Sequence, residues 1–513
     1  MVVGGGHNGL VAAAYLARAG RSVLVLERRE VLGGPCVTEA VWPGYRVSVA
    51  AYLCSLLQPR IVAELELERY GFHVTGKDPA AFSPFEDGRS LLFWRDQRKT
   101  LEQIAVFSRK DAEAYPKYSA HLERLAAVVW ALQLRTPPAS ADLDEYLAAC
   151  PEYLELNSAE RRSFVKILTQ SAADLLDEWF ESPQLKATLS TDGAIGANGG
   201  PHSPGTAYVL LHHCMGGVDG VSGLWGFVRG GMGSIPEAIA AAARAHGAET
   251  RVGAPVAHIV VREGAAAGVV LESGEEIAAG VVLSNAHPQV TLGLVEAGAV
   301  PEDYRRAIES YRSEGTSFKM NLALNGYPDF VALPGAPGPQ HRATMHLCPS
   351  MDYVERAWND CREGRPAREP LLEMTMPAEY DRALAPAGKH IMGVFLQYAP
   401  YTLREGHWDD LRVAFADRAI DLIERYAPNI RGLIEDRMIL SPLDIERRFA
   451  LPGGNIFHGE MALDQMFFNR PVRGWAQYRT PLRNLYLCGS GTHPGGGVMG
   501  ASGYNCAREV LRA

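Results

Sequence analysis

Apolar and polar positions follow two different rhythms along this chain. Near its start, Val2-Val3 ends an apolar run, Leu10 to Ala19 carries Ala, Leu and Tyr without a breaker, and Ser22-Val23-Leu24-Val25-Leu26 is apolar again. This order predicts strand, helix and strand, with Gly20 capping the helix. From Val252 to Leu283 the period shortens to two around the turns Glu263-Gly264 and Ser273-Gly274, which predicts a small antiparallel meander. Val282-Leu283-Ser284-Asn285-Ala286 then reads as a strand returning to the first sheet. Helical spacing dominates Asp111 to Leu134 and Ala159 to Phe180, with Thr136-Pro137-Pro138 breaking the chain between them. Farther on, Phe318 to Leu324 and Ile391 to Gln397 read as strands, Leu411 to Tyr426 as a helix, and Leu485-Tyr486-Leu487-Cys488 as a closing strand.

Two glycine-crowded segments sit at opposite ends of this pattern. Gly4-Gly5-Gly6-His7-Asn8-Gly9 lies between the first strand and helix, with Gly4, Gly6 and Gly9 at the three glycine positions of a dinucleotide fingerprint. Glu27 ends the second strand, where a carboxylate accepts hydrogen bonds from ribose hydroxyls and repels the 2′-phosphate of NADP. At the other end, Gly489-Ser490-Gly491 turns after the last strand, and a helix is expected to begin near Val498-Met499-Gly500. The unpaired N–H groups at that helix start suit negative charge on the pyrimidine of a reduced flavin. One long cofactor held at its phosphates by the first cluster and at its ring by the second is FAD. The alternative, a second NAD-binding fingerprint at Gly489-x-Gly491-x-x-x-Gly495, leaves too little chain for another βαβ unit.

Just beyond Glu27, Arg28-Arg29-Glu30-Val31-Leu32 leads to a second glycine pair, Gly33-Gly34. Here the chain resembles the flavoproteins that include phytoene desaturases, carotenoid isomerases and amine oxidases. In these the pair lies against the FAD pyrophosphate. Ser203-Pro204-Gly205-Thr206-Ala207-Tyr208, Gly230-Gly231-Met232-Gly233 and Phe457-His458-Gly459-Glu460 are similar to the phytoene desaturase-like branch containing pyridine nucleotide-disulphide oxidoreductase domain-containing protein 2, over essentially the full length. The resemblance implies an α/β fold with a discontinuous Rossmann-type FAD-binding domain (1–75, 225–300 and 440–513) and an inserted α+β substrate or cap domain (76–224 and 301–439). It also implies that the Val256 backbone meets the adenine. Many relatives carry an acid where Ser490 stands. Among His212, His213, His458 and His493, the segment around His458 makes it the first acid–base candidate, although structural roles explain all four as well.

Composition narrows the reading further. The cysteines at 36, 54, 150, 214, 348, 361, 488 and 506 include no C-x-x-C or C-x4-C pair, so neither a redox disulphide nor a zinc site is expected. A net charge of -9 leaves no nucleic-acid footprint. Without a basic n-region or a long apolar run the chain reads as cytoplasmic. The stripe Leu122, Leu125, Val128, Val129 and Leu132 beside Trp130 suits a core face, with peripheral membrane contact as the alternative. Only Val2 and Val3 follow Met1 before the glycines, so the first strand is expected to lack a rung or two, and upstream residues would tighten FAD binding.

The activity expected is an FAD-dependent dehydrogenation of a largely hydrophobic substrate, or its isomerisation through transient flavin reduction, with hydride passing to flavin N5. The electron acceptor stays open among oxygen, a quinone and another flavoprotein. Two alternatives stand beside it: an amine oxidase-like enzyme, disfavoured by Pro35 after the glycine pair and by the lack of a recognisable aromatic cage, and a flavin-bearing regulatory protein with little turnover.

Overall fold

Two sheets organise residues 1–513, all of which the computed structural model describes. The first has five parallel strands in the order Glu249–Arg251, Leu24–Leu26, Val2–Val3, Val282–Ser284 and Leu485–Leu487. Strands covered on both faces must be apolar, and four of these are short runs dominated by Val and Leu, while Glu249–Arg251, at the sheet edge, is polar and largely exposed. The expected strand, helix and strand at the start appear as Val2–Val3, His7–Arg18 and Leu24–Leu26. The final helix, Ala501–Arg512, begins just after the expected position, with Gly500 as its N-cap. It packs so closely on the first helix that a Cβ at Gly503 would lie 2.0 Å from the Asn8 carbonyl oxygen. The two ends of the chain therefore form one layer.

The expected meander is present as Val256–Arg262, Ala265–Leu271 and Glu276–Ala278, antiparallel throughout. One helical expectation needs correction. The segment from Ala159 to Phe180 is two helices, Ser158–Thr169 and Ala172–Asp177. Gln170 turns extended at ψ 163°, and the Ser171 hydroxyl accepts from the Asp174 N–H, starting a new helix. The stripe from Leu122 to Leu132 is buried in the helical core, so the core reading holds there. No helix is long and apolar enough to cross a membrane.

The second sheet has seven strands in the order Ile434–Leu440, Ser317–Leu324, His390–Gln397, Leu371–Thr375, Thr344–Leu347, Ala81–Pro84 and Ser90–Phe93. All pairs are antiparallel except that of Thr344–Leu347 with Ala81–Pro84. Every residue of Ser317–Leu324 is buried, yet the strand alternates. Phe318, Met320, Leu322 and Leu324 enter a core cluster, while Lys319 and Asn321 take the opposite face, as a period of two requires. That opposite face borders a cavity.

Candidate active site

A cavity of about 710 Å³ is bounded by both glycine segments, the second sheet and the helices before it. Ligand sites commonly measure ~300–1,000 Å³. Its lining includes Glu27, Arg28, Arg29 and Val256, with Gly4, Gly6, His7, Asn8 and Gly34 from the first glycine segments and Ser490, Gly497 and Val498 from the last. The remaining glycines expected at the site, Gly9, Gly33, Gly489 and Gly491, stand behind this wall and let its parts approach one another. A Cβ at Gly9 would lie 2.5 Å from the Gly4 carbonyl oxygen, and one at Gly489 would lie 2.5 Å from that of Asn285. Met499 and Gly500 also lie behind it, the Met499 carbonyl accepting from the Gln58 N–H at 3.1 Å.

Glu27 accepts the Gly5 N–H on one carboxylate oxygen at 2.8 Å and the Arg29 N–H on the other at 2.9 Å. A carboxylate has about four lone-pair sites, so capacity remains for a ribose diol. The two glycine clusters meet through side chains: the Asn8 amide donates to the Ser490 hydroxyl at 3.0 Å. Behind Ser490 is Arg470, a fully buried residue to which the sequence assigned no role beyond its place in a stretch resembling the family's active-site face. Its guanidinium donates to the carbonyls of Phe457 at 2.8 Å and of Glu460 and Ser490 at 3.1 Å each. No carboxylate neutralises it. Arg470 thus ties the Phe457–Glu460 segment to the last glycine turn, an arrangement among main-chain atoms that leaves no local sequence signal.

The histidines separate by environment. His458 and His212 line the cavity, and burial, with nearby positive charges adding to it, pushes both imidazoles down to about 3. They are neutral at pH 7 and poor bases there. His493 faces away from the cavity, its Nε2 3.2 Å from both the Tyr146 hydroxyl and the Leu132 carbonyl, and braces the turn. His213 stacks on Trp225, centroids 5.9 Å apart, with Nδ1 2.9 Å from the Val209 carbonyl.

On the opposite wall the sheet register assembles a row that was not anticipated. Lys319 pairs with Phe395, Phe395 with Glu373, and Glu373 with His346 across four neighbouring strands. Directly opposed residues share a face, so all four point to the cavity. The Glu373 carboxylate accepts from the Tyr52 hydroxyl at 2.6 Å and lies 3.0 Å from the His346 Nε2. Burial alone would raise this carboxyl, but His346, Tyr52 and Lys77 outweigh it and bring it down to about 2. Burial lowers the ammonium of Lys319 to about 7 and that of Lys77 to about 8, against the opposing pull of Glu373. The alternation in Ser317-Phe318-Lys319-Met320-Asn321 was the available signal for a polar face on this strand.

The fit of this cavity to FAD can be judged from its own atoms. His7 Nε2 and Asn8 Oδ1 are buried at the wall without partners, beside glycines whose missing side chains leave the backbone open. A phosphate and ribityl chain supply what those atoms lack, and the residues present fit the cofactor. All eight cysteines are free.

Residues 9–386 match the model of the flavin containing amine oxidoreductase family. Among curated proteins, the chain is 44% identical to pyridine nucleotide-disulfide oxidoreductase domain-containing protein 2 of Rattus norvegicus, covering 100% of this chain and 93% of that protein. It is 25% identical to the lycopene-forming phytoene desaturase of Pantoea ananas over 98% of this chain and 96% of that one. A solved oxidoreductase from Methanosarcina mazei shares the fold, with a TM-score of 0.62 at 15% identity, covering 100% of this chain and 99% of its own. The chain thus belongs to the flavin containing amine oxidoreductases, as an FAD-dependent oxidoreductase of Rossmann-type fold with the phytoene desaturases among its relatives.

Proposed function

We propose that this enzyme dehydrogenates a largely hydrophobic substrate, or isomerises it through transient flavin reduction. One observation carries the reading: besides the polar row, the cavity is lined by Phe93, Tyr115, Tyr118, Leu122, Leu210 and Trp225, an apolar and aromatic lining suited to an extended chain. Glu27, Gly4, Gly6, Gly34, Ser490 and Val498 would hold FAD, which supplies the hydride acceptor when bound. The work left to the protein is positional. The aromatic lining excludes water, the neutral His458 and His212 bring no charge, and the second sheet holds the far wall rigid.

The amine reading is the weaker one. An aromatic cage needs two rings far enough apart to pass a carbon between them, roughly 7 Å for two van der Waals contacts of ~3.5 Å. Tyr52 and Phe395 face the cavity with centroids 5.9 Å apart and a 31° tilt, too close to admit one, and the Tyr52 hydroxyl is committed to Glu373. Anaerobic visible spectra of the holoprotein, recorded while isoprenoid, fatty-acyl and amine compounds are added, test the proposal. Bleaching by an isoprenoid or acyl compound is expected. Bleaching by amines alone would overturn it, and a flavin that no compound bleaches would favour a regulatory protein.

A further inference from the structure

The polar row holds more positive charge than it neutralises. Glu373 already engages Tyr52 and His346 with its two carboxylate oxygens. Lys319 is 3% exposed and its Nζ has no hydrogen-bond partner; its nearest company is the face of the Tyr52 ring, 4.1 Å from Nζ to centroid. Space for this ammonium is built into the next strand, since a Cβ at Gly393 would lie 3.1 Å from Nζ. Lys77, 5% exposed, reaches the same cavity from the loop before Ala81 and donates one hydrogen bond, to the Thr344 hydroxyl. The remaining carboxylate facing the cavity here is Asp192, which accepts no hydrogen bond and whose charge burial disfavours. Two ammonium groups with open donors therefore meet one open carboxylate. A buried ammonium with nothing to bond is among the costliest arrangements a protein can hold, and it calls for a partner of opposite charge.

We propose that Lys319 and Lys77 form an anion-binding subsite at the polar end of the substrate cavity, and that the substrate is an apolar chain ending in a carboxylate. The inference rests on the hydrophobic-substrate reading above and adds its charged end. In this arrangement the carboxylate lies between the two ammonium groups while the chain extends along Tyr115, Tyr118, Leu122 and Trp225. Lys319 and Lys77 are specificity-determining residues here. Two ammonium groups suit a point anion without the planar fork that arginine would impose.

The test compares three probes of equal length on the FAD-loaded protein: decanoate, decan-1-ol and decylamine, followed both by calorimetry and by perturbation of the flavin spectrum. Decanoate is expected to bind at least ten-fold more tightly than decan-1-ol. Lys319→Met should abolish that preference and leave decan-1-ol within two-fold of the wild type, Lys77→Met should weaken it, and Lys319→Arg should restore part of it. Equal binding of decanoate and decan-1-ol would overturn the anion subsite while leaving the apolar channel standing. Failure of all three to bind would remove the channel as well. Preference for decylamine would overturn the proposal and assign this end of the cavity to Asp192. If Lys319→Met fails to retain flavin, the ranking of the three probes on the wild-type protein still decides.

Discussion

Arg470 and Lys319 are both buried cations without a carboxylate within ion-pair distance, one behind the Ser490 wall of the cavity and the other lining the cavity itself, and they differ in how their hydrogens are used. Arg470 spends its guanidinium on the carbonyls of Phe457, Glu460 and Ser490, whereas the Lys319 ammonium has no hydrogen-bond partner at all. The first wall is tied together from behind by main-chain carbonyls, and its open atoms, His7 Nε2 and Asn8 Oδ1, face the space a resident cofactor fills. The second is unfinished, and its open donors face the space a substrate enters. A resident cofactor occupies the open atoms of its wall throughout, while a transient substrate must be met by groups that wait for it.

The largest expected effect lies behind the cofactor wall. Arg470→Met strands the Phe457 and Ser490 carbonyls in the interior, and leaving buried acceptors unpaired costs ~1–3 kcal/mol each before relaxation. A loss of about 2–4 kcal/mol in unfolding free energy is expected, with flavin released at a lower denaturant concentration, followed by flavin fluorescence during urea titration. Arg470→Lys should recover little of it, because a single ammonium cannot reach carbonyls arranged around a planar fork. An unchanged midpoint would show that this wall does not depend on its hub.

The unfinished wall predicts the opposite sign. Removing an uncompensated buried charge relieves the molecule, so Lys319→Met is expected to stabilise the ligand-free protein by ~1–2 kcal/mol at pH 7. The pH dependence follows from burial lowering this ammonium to about 7 in the folded state, against an ordinary 10.5. Between those values the unfolded chain binds more protons than the folded one, so the wild type gains stability as pH rises. The gain attributable to Lys319 is at most about 1.4 kcal/mol per pH unit. The advantage of Lys319→Met should therefore shrink from pH 7 towards pH 9, measured by urea unfolding at each pH. A constant advantage would mean that the ammonium is solvated in the cavity and carries no such penalty.

The same contrast explains what could be read from the chain alone. Strand, glycine cluster, helix, strand and Glu27 are contiguous, as are the last strand and the glycines after it, so local spacing within each segment pointed to Gly4, Gly6, Glu27 and Gly34 and to Ser490 and Val498, which line one wall. Lys319, Glu373 and His346 come together only through the register of four strands, and no local pattern specifies which strands pair. The break at Ser171 escaped notice for a related reason. Apolar spacing runs through it, and only the side-chain cap, a single hydroxyl on the Asp174 N–H, ends one helix and begins the next. Arg470 acts through main-chain carbonyls, which every residue has, so its partners carry no identity.

The smallest effect sits where the two ends of the chain join. Asn8 donates to the Ser490 hydroxyl at 3.0 Å across 482 residues of sequence, and both atoms are buried at the cavity wall. A neutral hydrogen bond of this kind contributes ~1 kcal/mol, so Ser490→Ala should weaken FAD binding about five-fold in equilibrium dialysis of the apoprotein. Asn8→Ala should do at least as much, since it also removes the unpartnered Asn8 Oδ1 available to the cofactor. The double variant discriminates between two pictures of this wall. If the glycine clusters act as one clasp, the second substitution adds little to the first, and the cycle returns a coupling near 1 kcal/mol. Strict additivity would mean that each cluster holds its own part of the cofactor independently, and that the junction serves the fold alone.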